Sequence, residues 1–235
     1  MKIVSLLIGA VIAVCATGSV SAANYCGELK NAYGPFDFRK AASLPQQYNL
    51  VISAHFTAEV EQNIKGISSQ IAGDLDYTLR AWPNHPRALA AMSRQGIIEK
   101  KMTPNGAKWP VDCYFVRALQ FAPDDGTVHA VYGNHLLAHG KDAAAMAEFK
   151  RAVEMEPDSP SINYNAGLAY FKTKDYDKAL LHAQKAYSRN FPFNGLKNKL
   201  ASVGKWDDKW DDTSDDTSAD KSAEEDTTTV APGER

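Results

Sequence analysis

The 235-residue chain is short of the signatures that announce chemistry. It has no H-E-x-x-H pair, no G-x-x-x-x-G-K-[ST] loop, no G-x-S-x-G elbow and no dinucleotide glycine fingerprint, so the common routes to metal-assisted, phosphoryl-transfer, acyl-transfer and hydride chemistry lack a local motif. Cysteine is scarce, with three residues and no C-x-x-C or C-x-x-C-H spacing, which removes thioredoxin-like redox chemistry and c-type haem attachment. Only one long apolar run exists, over residues 3–16, and it falls below the roughly 20 residues that a membrane crossing needs. Charge of one sign does not dominate either: 26 Lys and Arg stand against 28 Asp and Glu, a balance that gives no electrostatic footprint for nucleic acid.

Both ends differ from the middle. Residues 1–22 place Lys2 before the apolar run and close on Val20-Ser21-Ala22, the three-part layout of a secretory signal. The expectation is a cleaved leader, a periplasmic mature protein and no stable membrane insertion afterwards. Lipidation at Cys15 is disfavoured because Val14 stands where a lipobox takes a small residue. In an oxidising compartment the remaining cysteines, Cys26 and Cys113, are expected to bridge. Residues 205–235 hold eleven acidic and four basic side chains with little apolar content, a composition that predicts a disordered acidic tail. It reads as a solubilising extension, the alternative being that it folds over a basic face of the mildly basic body. Its Asp pairs lack the alternation and glycine of a calcium loop.

Between the ends lies an internal repeat. Gly133 and Gly167, Ala145 and Ala179, Ala152 and Ala186, and Pro123 and Pro157 are each 34 residues apart. Small side chains let antiparallel helices approach closely, and a proline ends one helix and begins the next unit. With Tyr132-Gly133, Leu136, Ala145, Phe149, Ala152 and Pro157 in one copy, and Ala166-Gly167, Tyr170, Asp175-Tyr176, Ala179 and Ala186 in the next, the chain resembles the tetratricopeptide repeat family. His129 and Asn163 depart from the family pattern by replacing an aromatic. The resemblance implies an all-α fold, a short α-solenoid of antiparallel helix pairs. The predicted order is an extended N-terminal segment over 23–48, pinned to the surface by its Gly-Pro and aromatics, and two degenerate pairs over 49–123. Repeats at 124–157 and 158–191 follow, then a capping helix within 192–204. Within the degenerate pairs, Thr57 is a candidate N-cap, 101–108 a polar insertion, and the prolines flanking His85 a joint between helices. The N-terminal stretch also resembles the start of exported bacterial tetratricopeptide proteins of unassigned function.

The architecture implies a concave groove for a protein partner or peptide, with no cofactor and no catalysis. By resemblance its lining residues are Asn134, Leu137, Tyr164, Leu168, Phe171 and Lys172, with Tyr164 and Phe171 as aromatic anchors; the alternative for Leu168 and Phe171 is plain packing on the neighbouring helix. Ala130 and Tyr164 occupy places where a carboxylate clamp has lysine, so a free acidic C-terminus is not the favoured ligand. The rival reading is a small-ligand or metal-binding module built on His135 and His139, which share a helix face, with His129, His55 or His85 as a distant third ligand.

Overall fold

Prolines and short polar side chains cut the chain into helices one to four turns long. The structure, a computed structural model, describes residues 25–68 and 70–207; the expected leader and the acidic tail beyond 207 lie outside the described residues. A 3-10 segment at Phe38–Ser43 precedes α1 (Pro45–His55), α2 (Ala58–Glu61), α3 (Ile71–Ala81), α4 (Pro86–Glu99), α5 (Val111–Phe121), α6 (Gly126–Ala138), α7 (Asp142–Met155), α8 (Pro160–Lys172), α9 (Tyr176–Tyr187) and α10 (Gly195–Ser202). Proline opens α1, α4 and α8, where its missing N–H is one the helix leaves unpaired anyway. Asp125 and Asp175 cap α6 and α9 by accepting from the amides of Val128 and Lys178. No strand occurs among the described residues.

From α2 onward each helix packs on the next, and α4, α6, α8 and α10 stack in a row, as a solenoid requires. The 34-residue period has a direct packing cause. Ala145, Ala152, Ala179 and Ala186 are fully buried, and a Cβ added at Gly133 would stand 2.9 Å from the Phe149 ring. At Gly167 the same atom would strike Leu196 of α10. The core runs along the row without a break in type: Leu75, Leu89, Met92 and Phe115, then Leu136, Phe149 and Ile162, then Leu196 and Leu200.

The two departures from the family pattern turn out to be one device used twice. His129 of α6 bonds Glu148 of α7 at 2.6 Å and the Pro123 carbonyl at 3.2 Å. One repeat later, Asn163 of α8 bonds His182 of α9 at 2.9 Å and donates to the Pro157 carbonyl at 2.8 Å. In both units a buried polar pair ties the first helix to the second and to the proline joint, in place of an aromatic contact.

The N-terminal region corrects the expected boundary at 48. The extended part ends near Phe36; the chain then forms the 3-10 segment, and α1 is the first helix of the first pair, packed on α3. Among its residues only Val51 is buried, so its sequence carries almost no amphipathic contrast to read. Thr57 does occupy the N-cap position of α2, though its side chain makes no capping bond. The extended part is pinned as expected. Cys26 and Cys113 form a disulfide, the Phe36 amide donates to the Ala81 carbonyl at 2.8 Å, and Tyr33, Phe36, Phe38 and Tyr48 pack around Trp82 and His85. Fully buried Asn84 gathers three segments: it accepts from the Phe38 amide and donates to Asp37 and to Asp125, the cap of α6.

The bridge joins residues 87 apart, and closing a loop of that size contributes on the order of 4 kcal/mol in the chain-entropy account. A Cys26→Ser/Cys113→Ser variant is expected to lose most of that in chemical denaturation; a loss below about 1 kcal/mol would mean that the polar contacts alone hold the segment.

His85 is fully buried beneath Phe38 and Phe56, and desolvation, reinforced by the Arg87 charge, pushes its pKa down to about 3. The unfolded chain takes up that proton near pH 6.5. Stability from this residue is therefore lost as pH falls from about 6.5 toward 3, with a slope of at most about 1.4 kcal/mol per pH unit. His129 works in the opposite sense, because the Glu148 hydrogen bond raises it: its contribution is present below 6.5 and fades as pH rises through the raised value. His85 also caps α4, its Nδ1 accepting from the Ala88 amide, and urea melts between pH 6.5 and 4 are expected to show a shallower decline in His85→Asn, which keeps a capping acceptor, than in the wild type.

Candidate functional site

The first helices of the two regular repeats run side by side, so residues near their C-terminal ends meet on one surface. Leu137 of α6 and Leu168, Phe171 and Lys172 of α8 line an open cleft of about 520 Å3 together with Lys174, Tyr176 and Lys199. The floor is aliphatic and aromatic, and three lysines stand around it. Lys172 is already engaged, donating to the Leu137 carbonyl and to Asp142, both at 2.8 Å. Lys199 of α10 sits 5.7 Å from the Phe171 ring centre. No ion pair engages Lys174 or Lys199 among the described residues, so their charge remains available to a ligand.

Four of the six expected groove residues thus come together. The other two do not line the cleft. Tyr164 is half-buried against the cap, its ring 4.4 Å from that of Phe191 and its hydroxyl against Gly195. The C-terminal segment has taken the contact surface that a partner was expected to use. Asn134 is exposed and bonds Asn165 on the next repeat at 3.3 Å. The lysines missed by sequence reasoning come from outside the first-helix positions. Lys174 lies one period after Gly140, and both have positive φ, 63° and 71°, so the glycine marked a turn that projects this lysine beside the cleft. Lys199 belongs to the cap, where no repeat pattern applies.

The histidine pair has other work. Both ring nitrogens of His135 are taken, Nδ1 by Ser93 Oγ at 2.7 Å and Nε2 by Asp112 at 2.8 Å, while His139 Nδ1 bonds the His135 carbonyl at 2.8 Å. The His135 hydrogen bond holds the Asp112 carboxyl at about 2. A metal ion would have to displace these bonds, and no group of three His, Cys, Asp or Glu side chains is placed for one among the described residues. The line Ser93–His135–Asp112 superficially matches a nucleophile triad, but Ser93 is buried in the middle of α4, where backbone amides are committed to the helix and offer no oxyanion donors. It reads as a buried polar tie between α4, α5 and α6.

Helix pairs stacked in register with a groove on the first-helix side define an α-solenoid interaction module. Residues 115–195 match the family model of the tetratricopeptide repeat. No curated protein matches the chain.

The half-buried position of Phe171 separates contact from core. Phe149→Ala is expected to cost about 3–5 kcal/mol in a denaturant titration, whereas Phe171→Ala should cost well under half of that. Equal costs would make Phe171 a packing residue.

Proposed function

We propose that the protein is a non-catalytic periplasmic scaffold that holds a segment of another envelope protein in this cleft, in the assembly or regulation of an envelope complex. The observation that carries the reading is the apolar floor of Leu137, Leu168 and Phe171 beside Lys174 and Lys199. Repeats of this family serve protein–protein contacts, which supports the general assignment. The cleft's chemistry suits a partner segment that inserts one aliphatic or aromatic side chain and carries acidic residues on either side. Export rests on the leader-like residues 1–22, and no described helix is long and apolar enough to cross a membrane.

Co-purification of the tagged protein from its own envelope fraction tests this. A defined partner is expected with the wild type. Phe171→Ala should weaken its binding by at least about thirtyfold, as for a buried anchor. Lys199→Glu should slow association and reduce its salt dependence. A partner retained at full affinity by both variants would move the interface to another face.

A further inference from the structure

The N-terminal segment and α5 enclose a second cavity, of about 240 Å3, that shares no residue with the cleft. Lys30, Asn31, Arg80, Lys108, Trp109 and Arg117 line it, with Glu28 the one acidic side chain on its wall among the described residues. Arg117 is the deepest of these, 1% exposed. Its Nη1 donates to the carbonyls of Cys26, Gly27 and Glu28, at 3.2, 3.1 and 2.7 Å, and its guanidinium lies 4.2 Å from the Trp109 ring centre. Its Nε and Nη2 are buried and have no partner among the described residues.

Those two nitrogens are the side-on pair of a guanidinium, whose N–H bonds run parallel and match two oxygens of one anion. Carbonyl dipoles hold the group in place, yet among the described residues no carboxylate pairs with it. Asp76, whose charge does reach Arg117, is committed to the Tyr114 hydroxyl at 2.6 Å and to Arg80 Nε at 2.9 Å. Burial accordingly pushes the Arg117 pKa down. Around it, Arg80 is fixed by Asp76 and by Asn31 at 3.0 Å, and the Lys108 ammonium lies 4.7 Å from the centre of the same Trp109 ring. Lys30 and Lys108 are exposed. A buried cation with an unfilled fork, among three further cations and one acid, is a receptor for negative charge.

We propose that this pocket binds a tetrahedral oxyanion of the phosphate or sulfate class, taken bidentately by Nε–H and Nη2–H of Arg117 and neutralised by Lys30 and Lys108. A singly charged carboxylate fills the fork but leaves the lysines unmatched, so it binds more weakly. The anion comes free or as a phosphoryl group on a larger molecule.

The test is calorimetric titration of the purified protein, at constant ionic strength, with inorganic phosphate, sulfate, glycerol 3-phosphate and acetate. Saturable one-to-one binding of the tetrahedral anions is expected, with acetate at least about tenfold weaker. Lys30→Ala/Lys108→Ala, which alters only exposed side chains, should weaken binding about tenfold while leaving the anion-free melting temperature unchanged. Arg117→Lys keeps the charge, loses the fork, and should weaken binding further. If glycerol 3-phosphate binds more tightly than inorganic phosphate, the physiological ligand is a phosphoryl group on a larger molecule; the reverse order indicates the free ion, and either order upholds the site. No saturable binding up to about 10 mM anion, or binding indifferent to the lysine variant, overturns the proposal.

Discussion

A pair of short antiparallel helices with one apolar face does not persist alone in water, because isolated helices of this length are marginal and their apolar stripe must be covered by something. Stacking solves the problem for every interior unit and leaves it at the two ends. Here the C-terminal end is covered by α10, whose Leu196 and Leu200 are fully buried against the last repeat. The N-terminal end is covered by irregular structure: the extended segment, the 3-10 turn and the poorly patterned α1. The close approach that stacking demands leaves no room for side chains at Gly133 and Gly167, and room only for methyl groups at the alanines one period apart.

The degenerate half of the array is held by a different economy of forces. Where the repeats are regular, one polar pair per unit suffices, His129 with Glu148 and Asn163 with His182. Where they are not, polar hubs do the joining. Asn84 ties the N-terminal segment to the α3–α4 joint and to the cap of α6, and Arg117 collects three successive carbonyls beside the disulfide. Such buried polar groups are costly unless satisfied, and they hold only one arrangement of the segments they join. Asn84 is satisfied; Arg117 is only half satisfied, and that difference is what distinguishes a structural joint from a place prepared for an anion.

The cleft and the anion pocket make different demands on a ligand. The cleft is broad, open and apolar with exposed cationic side chains at its margin, which suits an extended chain segment. The pocket is small and its deepest cation is immobilised by carbonyls and an indole, which suits a compact ion of fixed shape. Neither resembles the paired-lysine clamp for a free carboxyl terminus, since Ala130 is buried and Tyr164 is turned to the cap.

The 34-residue unit and the proline joints were legible in residue spacing, the all-α class followed from the family resemblance that this spacing carries, and the Cys26–Cys113 bridge from the two cysteines left to pair after the expected leader. Leu137, Leu168, Phe171 and Lys172, placed by that resemblance, meet on one cleft because a helical register carries over from one repeat to the next. What lay beyond reach depended on contacts between segments without a shared register. α1 buries only Val51 and so shows no periodicity; Tyr164 was claimed by the cap; Lys199 reached the cleft from a helix outside the repeat. The roles of Asn84 and Arg117 were likewise decided only in three dimensions, because a buried polar side chain takes its meaning from partners tens of residues away, and sequence spacing carries no record of them.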